Sequence, residues 1–307
     1  MISAIVCTHN PRMEYLNRVL NALSMQELEK SLWELLVIDN GSSDPLEDRL
    51  ELGWHPQARV ITEHRLGLTH ARFRGIAESR GETLLFIDDD NVLDPGYLQA
   101  CCDIASEWPQ LGAWGGAIVP EFEKQPEPDV VPFLSALALR DVTRATWTNV
   151  RRCSSAEPWG AGLCVRRQVA EAYVTHLREA PFQILDRVGG MLLSGGDTEM
   201  CFVACESGMG MGLFPSLKVT HLIPERRVEP SYIVAISKGL AASEALMSFK
   251  WDRQSPEAET SFSQLFRCLK RMILAGGRLE RRVHWARYRG RVEAARMYTA
   301  RINLPPR

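Results

Sequence analysis

Long apolar runs are missing from this chain. Its longest candidates, Val130–Leu139 and Ser207–Leu217, reach about half of the roughly 20 residues a membrane-spanning helix needs, and they contain Pro or several Gly. A secretory leader is not expected either, because MISAIVCTHNP has no basic residue ahead of its short apolar run. The eight cysteines (Cys7, Cys101, Cys102, Cys153, Cys164, Cys201, Cys205 and Cys268) include no CxxC pair backed by a second pair. A structural zinc is therefore not expected, and buried free thiols in a reducing cytoplasm are. No internal repeat is visible, and no glycine-rich phosphate loop follows the first apolar run. With 45% apolar and 24% charged residues the composition excludes collagen, low-complexity disorder and a disulfide-dense mini-protein.

A strong excess of one charge is also missing, since the formal net charge is −2. The charge is unevenly placed, however. Residues 265–307 hold twelve Lys/Arg against two Asp/Glu, which leaves 24 basic and 36 acidic residues in 1–264. An acidic body is thus followed by a basic tail. A chain of this length can bury roughly 75% of its unfolded surface and needs no staple to fold.

Short apolar runs closed by polar clusters recur through the first hundred residues. Residues 2–7, 34–38, 59–62 and 82–87 read as strands, and 13–25 and 69–79 read as helices with apolar residues at helical spacing. That alternation predicts βαβ units and a mainly parallel sheet flanked by helices. Further on, 97–108, 169–180 and 198–207 read as helices, and 113–119 and 217–222 as strands. The Pro-rich stretch PEFEKQPEPDVVP is expected to form no regular element, and 142–152 fits no template. Beyond Tyr232 the spacing predicts helices near 232–249, 262–274 and 279–298.

Polar clusters close the predicted strands, and open α/β sheets bind ligands at the carboxyl ends of their strands. Thr8–His9–Asn10, Asp39–Asn40 and Asp88–Asp89–Asp90 are therefore expected along one rim. In an extended segment Asp88 and Asp90 point the same way, so the pair suits a hard divalent cation; the plain alternative is a solvated acidic turn. Asp39 could equally make an Asx-turn. Arg72 and Arg74, on the helix after Gly67, could face phosphate or simply form a basic surface. Asp197, in a glycine-flanked loop, suits a general base or a helix N-cap. His221 closes the last strand and is a candidate metal ligand or an ordinary core histidine.

The motifs CTHNP at 7–11, VIDNGSSD at 37–44, LGLTHARFRG at 66–75, FIDDDN at 86–91, WGAG at 159–162, GGDTE at 195–199 and TH at 220–221 occur in order. Together they resemble glycosyltransferase family 2, with its GT-A (Rossmann-like) α/β fold, over roughly residues 2–225. The resemblance implies a GT-A catalytic domain at 1–230, with a nucleotide-binding half at 1–100 and an acceptor and catalytic half at 101–230. A basic helical extension follows at 231–307. Thr8, Asn10 and Arg12 match the loop beside the nucleotide, Asp39 the carboxylate that reads the base, and Arg72 the residue facing the diphosphate and sugar. Asp88 and Asp90 match the Asp-x-Asp pair and are expected to ligate the metal, Asp90 more directly and Asp88 nearer the ribose and sugar. Asp88 and Asp89 are also expected to touch the nucleotide-sugar, and His221 matches a third metal ligand. Gly160 and Gly162 match the loop beside the donor sugar, and Asp197 the catalytic base. Two departures stand out: Gly196 replaces an acidic neighbour of the base, and Phe73 replaces an Asn.

The expected activity is an inverting transfer of a sugar from a nucleotide-diphospho-sugar, a UDP-sugar first, with Mg²⁺ or Mn²⁺, to a hydroxyl of a glycan, glycolipid or small molecule, as in polysaccharide biosynthesis. The rivals are a retaining transferase on the same fold, a sugar-phosphate nucleotidyltransferase and a non-catalytic binding module. The tail at 262–301 mixes apolar residues with many arginines. Peripheral contact with the inner face of a membrane and packing on protein are both readings of it, and nucleic acid is not an expected partner.

Overall fold

The computed structural model describes residues 1–302, apart from 181, 185 and 187–191. Its chain divides into two compact units. One comprises Met1–Glu121, Ala138–Arg178 and Gly196–Ile223; the other comprises Phe122–Leu137, Glu179–Gly195 and the chain from Pro224 onward.

The first unit is an α/β sheet domain. Its elements run β1 (Ile2–Thr8), α1 (Met13–Ser24), β2 (Trp33–Asp39), β3 (Ala58–Thr62), α2 (Leu68–Glu78), β4 (Thr83–Asp88), β5 (Asn91–Leu93), α3 (Tyr97–Glu107), β6 (Leu111–Phe122), β7 (Thr146–Thr148), β8 (Leu163–Arg166), α4 (Arg167–Glu179), α5 (Gly196–Glu206) and β9 (Gly210–Ile223). The sheet order is β3-β2-β1-β4-β8-β6-β9-β5, with β7 also on β9. Strands β3, β2, β1 and β4 are parallel. The pairings of β8 with β4 and β6, and of β5 and β7 with β9, are antiparallel.

Every residue of β1 and β2 is buried, as continuous apolar runs in a sheet covered on both faces should be. The helical spacing expected in α1 is realised: Leu16, Val19, Leu20 and Leu23 are buried in the core with Ala4, Val6, Leu35 and Val37. On the other flank α2 packs on β1. A Cβ at Gly75 would lie 2.5 Å from Ile5 Cγ2, so glycine sets how closely that helix approaches the strand.

Three local expectations need correction. PEFEKQPEPDVVP is not wholly irregular: Pro120–Phe122 finish β6, and Val131–Leu137 form a 3-10 turn. That end of β6 emerges from the core, where a proline without an N–H does not interrupt a buried ladder. The last strand begins at Gly210 rather than 217, because GMGLFPS continues the ladder despite its glycines and proline. The unassigned 142–152 contains β7, three residues paired to β9.

The second unit is helical: α6 (Pro230–Trp251), α7 (Pro256–Thr260), α8 (Phe262–Leu274) and α9 (Arg278–Ile302). Pro230 opens α6, where its missing N–H costs no helical bond. Helix α9 packs along α6 and also meets α7 and α8. Residues 303–307 of the expected basic extension lie outside the described residues. Among the described residues no helix is long and apolar enough to cross a membrane.

Candidate active site

Parallel register places the polar strand ends side by side. Thr8 stands opposite Asp39, and Cys7 stands opposite Asp88. The Thr8 hydroxyl donates to the Asp89 carboxylate. Asp39 is buried, and both its oxygens accept backbone amides: Oδ1 from Ser42 at 2.9 Å and Oδ2 from Leu46 at 3.1 Å. The turn reading of Asp39 is thus realised, and each oxygen keeps a second lone pair for a ligand. Asn10, at φ +49°, donates its backbone N–H to the Ser42 hydroxyl at 2.9 Å and accepts the Ser43 amide at 2.8 Å. The loops after β1 and β2 are stitched together in this way.

Asn40, expected on this rim beside Asp39, ties a third segment to it. Its Nδ2 donates to the carbonyls of Glu63 at 3.0 Å and Arg65 at 2.7 Å, and its Oδ1 accepts the Gly67 amide at 2.8 Å. Gly67 precedes the first turn of α2, so Asn40 anchors the helix that carries Arg72. Arg12 contacts Glu14 at 3.8 Å and lies over the Tyr15 ring at 4.3 Å.

The two arginines of α2 part company. Residues two apart on a helix point about 200° apart. Arg74 pairs with Glu78 at 3.0 Å on an open face, while Arg72 is buried. The Asp197 carboxylate accepts the Gly160 amide on Oδ2 at 2.8 Å and the Thr198 amide on Oδ1 at 2.9 Å, in the first turn of α5. A Cβ at Gly160 would stand 3.1 Å from Arg72 Nη2 and 3.3 Å from Asp197 Oδ2, so these three residues meet at one point. Cys7 links this point to the acidic triad. Burial pushes its thiol up to about 12, the Arg72 charge opposes the rise, and Asp88 and Asp89 add to it.

Gly162 adopts φ +72°, and its carbonyl accepts the Tyr97 hydroxyl at 2.6 Å. Phe73, the residue in the place of the family's Asn, packs edge-on against Tyr173 with ring centroids 5.8 Å apart.

Asp90 and His221 meet because β5 pairs antiparallel with β9, setting Asn91 opposite His221. Asp90 Oδ2 lies 3.5 Å from His221 Nε2, and both side chains are more than nine-tenths buried. Asn91 Nδ2 donates to Asp90 Oδ1 at 2.9 Å and orients that carboxylate. Among the described residues no group of three or more His, Cys, Asp or Glu forms a metal set. Asp90 and His221 make a pair, with Asp88 nearby in sequence but not part of a trio. The carboxylate oxygen suits either Mg²⁺ or Mn²⁺, which commonly complete their shells with water and substrate oxygens, and the imidazole nitrogen favours Mn²⁺ over the harder Mg²⁺.

Glu157 was missed in the sequence, where its only signal is its place two residues before Trp159. Its Oε1 accepts the Thr198 hydroxyl at 2.9 Å, beside Asp197. Burial pushes the Glu157 carboxyl up, the Thr198 hydrogen bond draws it back, and the Asp197 charge raises it further. Arg140 donates to the Glu157 carbonyl and lies 3.7 Å from the centre of the Trp159 ring. A second carboxylate thus reaches Asp197 from a distant loop, although Gly196 carries none.

Sheet order and rim together define a GT-A-like α/β domain. Against solved structures the chain matches S. aureus TarS with a TM-score of 0.51 at 14% identity, covering 97% of this chain and 91% of that one, a likeness of fold. Residues 3–143 match the family model described as Glycosyl transferase family 2, and the chain is similar to that family over this stretch. It is 25% identical over 171 residues to "Putative glycosyltransferase EpsH" of Bacillus subtilis, covering 51% of this chain and 48% of the relative. It is 24% identical over 131 residues to "Glucosyl-dolichyl phosphate glucuronosyltransferase" of Haloferax volcanii, covering 41% of each. The chain spans about half, or less, of the length of these curated relatives.

Proposed function

We propose that the chain transfers a sugar, with inversion, from a nucleoside diphosphate donor to an acceptor hydroxyl. The observation that carries this reading is the meeting of Asp197, Gly160 and Arg72 beside the strand ends that bear Thr8, Asp39 and the acidic triad. Asp39 and the loop of Thr8, Asn10 and Arg12 hold the base and ribose, uracil being the first candidate. Arg72 offsets the diphosphate charge as the leaving group departs. Gly160 leaves room for the sugar, because any side chain there would press on Arg72 and Asp197.

Asp197 takes the proton of the acceptor hydroxyl, whose oxygen then attacks the anomeric carbon from the face opposite the diphosphate. One displacement inverts the anomeric centre, through an oxocarbenium-like transition state as in glycoside hydrolysis. Asp90 and His221 would hold Mg²⁺ or Mn²⁺, which would supply Lewis-acid neutralisation of the leaving diphosphate when bound. The acceptor is a carbohydrate or a lipid-linked sugar, a class supported by the dolichyl-linked name of one relative. The test is release of nucleoside diphosphate from a panel of nucleotide sugars with candidate acceptors, followed by the anomeric configuration of the product. Retention of configuration would overturn the single displacement, and release from no donor would overturn the transferase reading.

A further inference from the structure

Helix α8 carries an apolar stripe that the second unit does not cover. Phe262, Phe266, Leu269 and Ile273 are 80%, 61%, 44% and 80% exposed. On a helix of 3.6 residues per turn these four positions fall within about 60° of one another. The opposite choice was open to the sequence, since α8 does bury a different side: Cys268 is buried, and its thiol reaches the His284 carbonyl of α9 at 3.6 Å. A single exposed leucine would need no explanation, but a four-residue stripe at helical spacing does.

The surroundings of the stripe select its occupant. Arg267, Lys270 and Arg271 on α8 and Arg278, Arg281 and Arg282 at the start of α9 are all exposed. Residues 262–302 carry eleven Lys/Arg against two Asp/Glu. Trp285, also exposed, lies 5.5 Å from Tyr288 between ring centroids, and such amphipathic rings favour the boundary between headgroups and acyl chains. Two copies of so basic a surface would repel each other across a symmetric contact. An anionic surface with an apolar interior complements both features.

We propose that α8 and the start of α9 form a docking face for an anionic lipid bilayer, with Phe262, Phe266, Leu269 and Ile273 entering the acyl boundary. Arg267, Lys270, Arg271 and the α9 arginines meet the lipid phosphates. Each basic residue near such a surface strengthens binding about fivefold, so attachment depends on lipid charge and weakens with salt. This face needs neither donor nor acceptor to bind, so it stands apart from the transferase reading.

The test is flotation of the full chain with vesicles of phosphatidylcholine alone and of phosphatidylcholine mixed with phosphatidylserine. The full chain should float with the anionic vesicles, sediment with the neutral ones, and be released by high salt. Phe266→Ser with Ile273→Ser should weaken the attachment tenfold or more while leaving the melting temperature unchanged, since both positions are exposed. Equal partition to both vesicles, or undiminished flotation of the double variant, overturns the proposal. So does a doubled mass by sedimentation in the absence of lipid that the double variant abolishes, because a second copy would then cover the stripe.

Discussion

The carboxylate of Asp197 accepts the backbone amide of Gly160 at 2.8 Å, although 37 residues separate them along the chain. One residue opens α5 and the other lies in the loop before β8. The bond fixes the carboxylate beside Arg72 and leaves lone pairs for an acceptor hydroxyl.

Asp197→Asn should therefore lower turnover by about 10²-fold or more while nucleotide binding survives. The asparagine keeps an oxygen for the Gly160 amide but cannot take a proton. Steady-state rates together with calorimetric binding of nucleoside diphosphate check this, and unchanged turnover removes the base assignment.

Glu157 gives a pH-dependent prediction. A carboxyl held above its ordinary 4.5 binds its proton more tightly in the folded chain than in the unfolded one. That contribution to stability is complete below 4.5 and is lost as pH rises through the raised folded value. Glu157→Gln cannot ionise, so its melting temperature should fall less steeply than the parent's over that interval. Parallel melting curves across pH would contradict the buried, raised carboxyl.

His221→Ala should weaken Mn²⁺ binding in the presence of nucleoside diphosphate by about tenfold or more, the least expected for loss of a first ligand when outer partners alone cost 10–100-fold. Titration calorimetry reads this directly. Equal Mn²⁺ affinity in both forms would leave the Asp90–His221 contact as a structural one.

Gly162→Ala should destabilise the fold by about 1–3 kcal/mol. Its φ of +72° disfavours a side chain, and a Cβ would collide with the Tyr97 hydroxyl. Chemical denaturation checks this; a loss below about 0.5 kcal/mol would mean that the turn relaxes freely.

The strand ends were legible because buried apolar runs stop abruptly at polar clusters, and parallel pairing then has to align them. That is how Thr8, Asp39 and Asp88 could be expected on one rim before any pairing was known. Strands β5 and β7 were not legible, since three residues are too few to show a period. Arg72 and Arg74 looked alike in sequence, and only the helix's rotation against β1 buries one and exposes the other. Glu157 escaped because its partner Thr198 lies 41 residues away, a contact that local pattern does not encode. The grouping of Phe122–Leu137 with the C-terminal helices was hidden for the same reason.

The most direct measurement is a thermal-shift series of the full chain with nucleoside diphosphates, repeated on Arg72→Gln. A ligand at 100 times its Kd adds about 2.7 kcal/mol of stability. One nucleoside diphosphate should raise the melting temperature of the parent chain, and Arg72→Gln should lose most of that rise. No response to any nucleoside diphosphate, or the same response in the variant, would mean that the rim formed by Thr8, Asp39, Arg72, Asp88 and Asp197 is not the donor site.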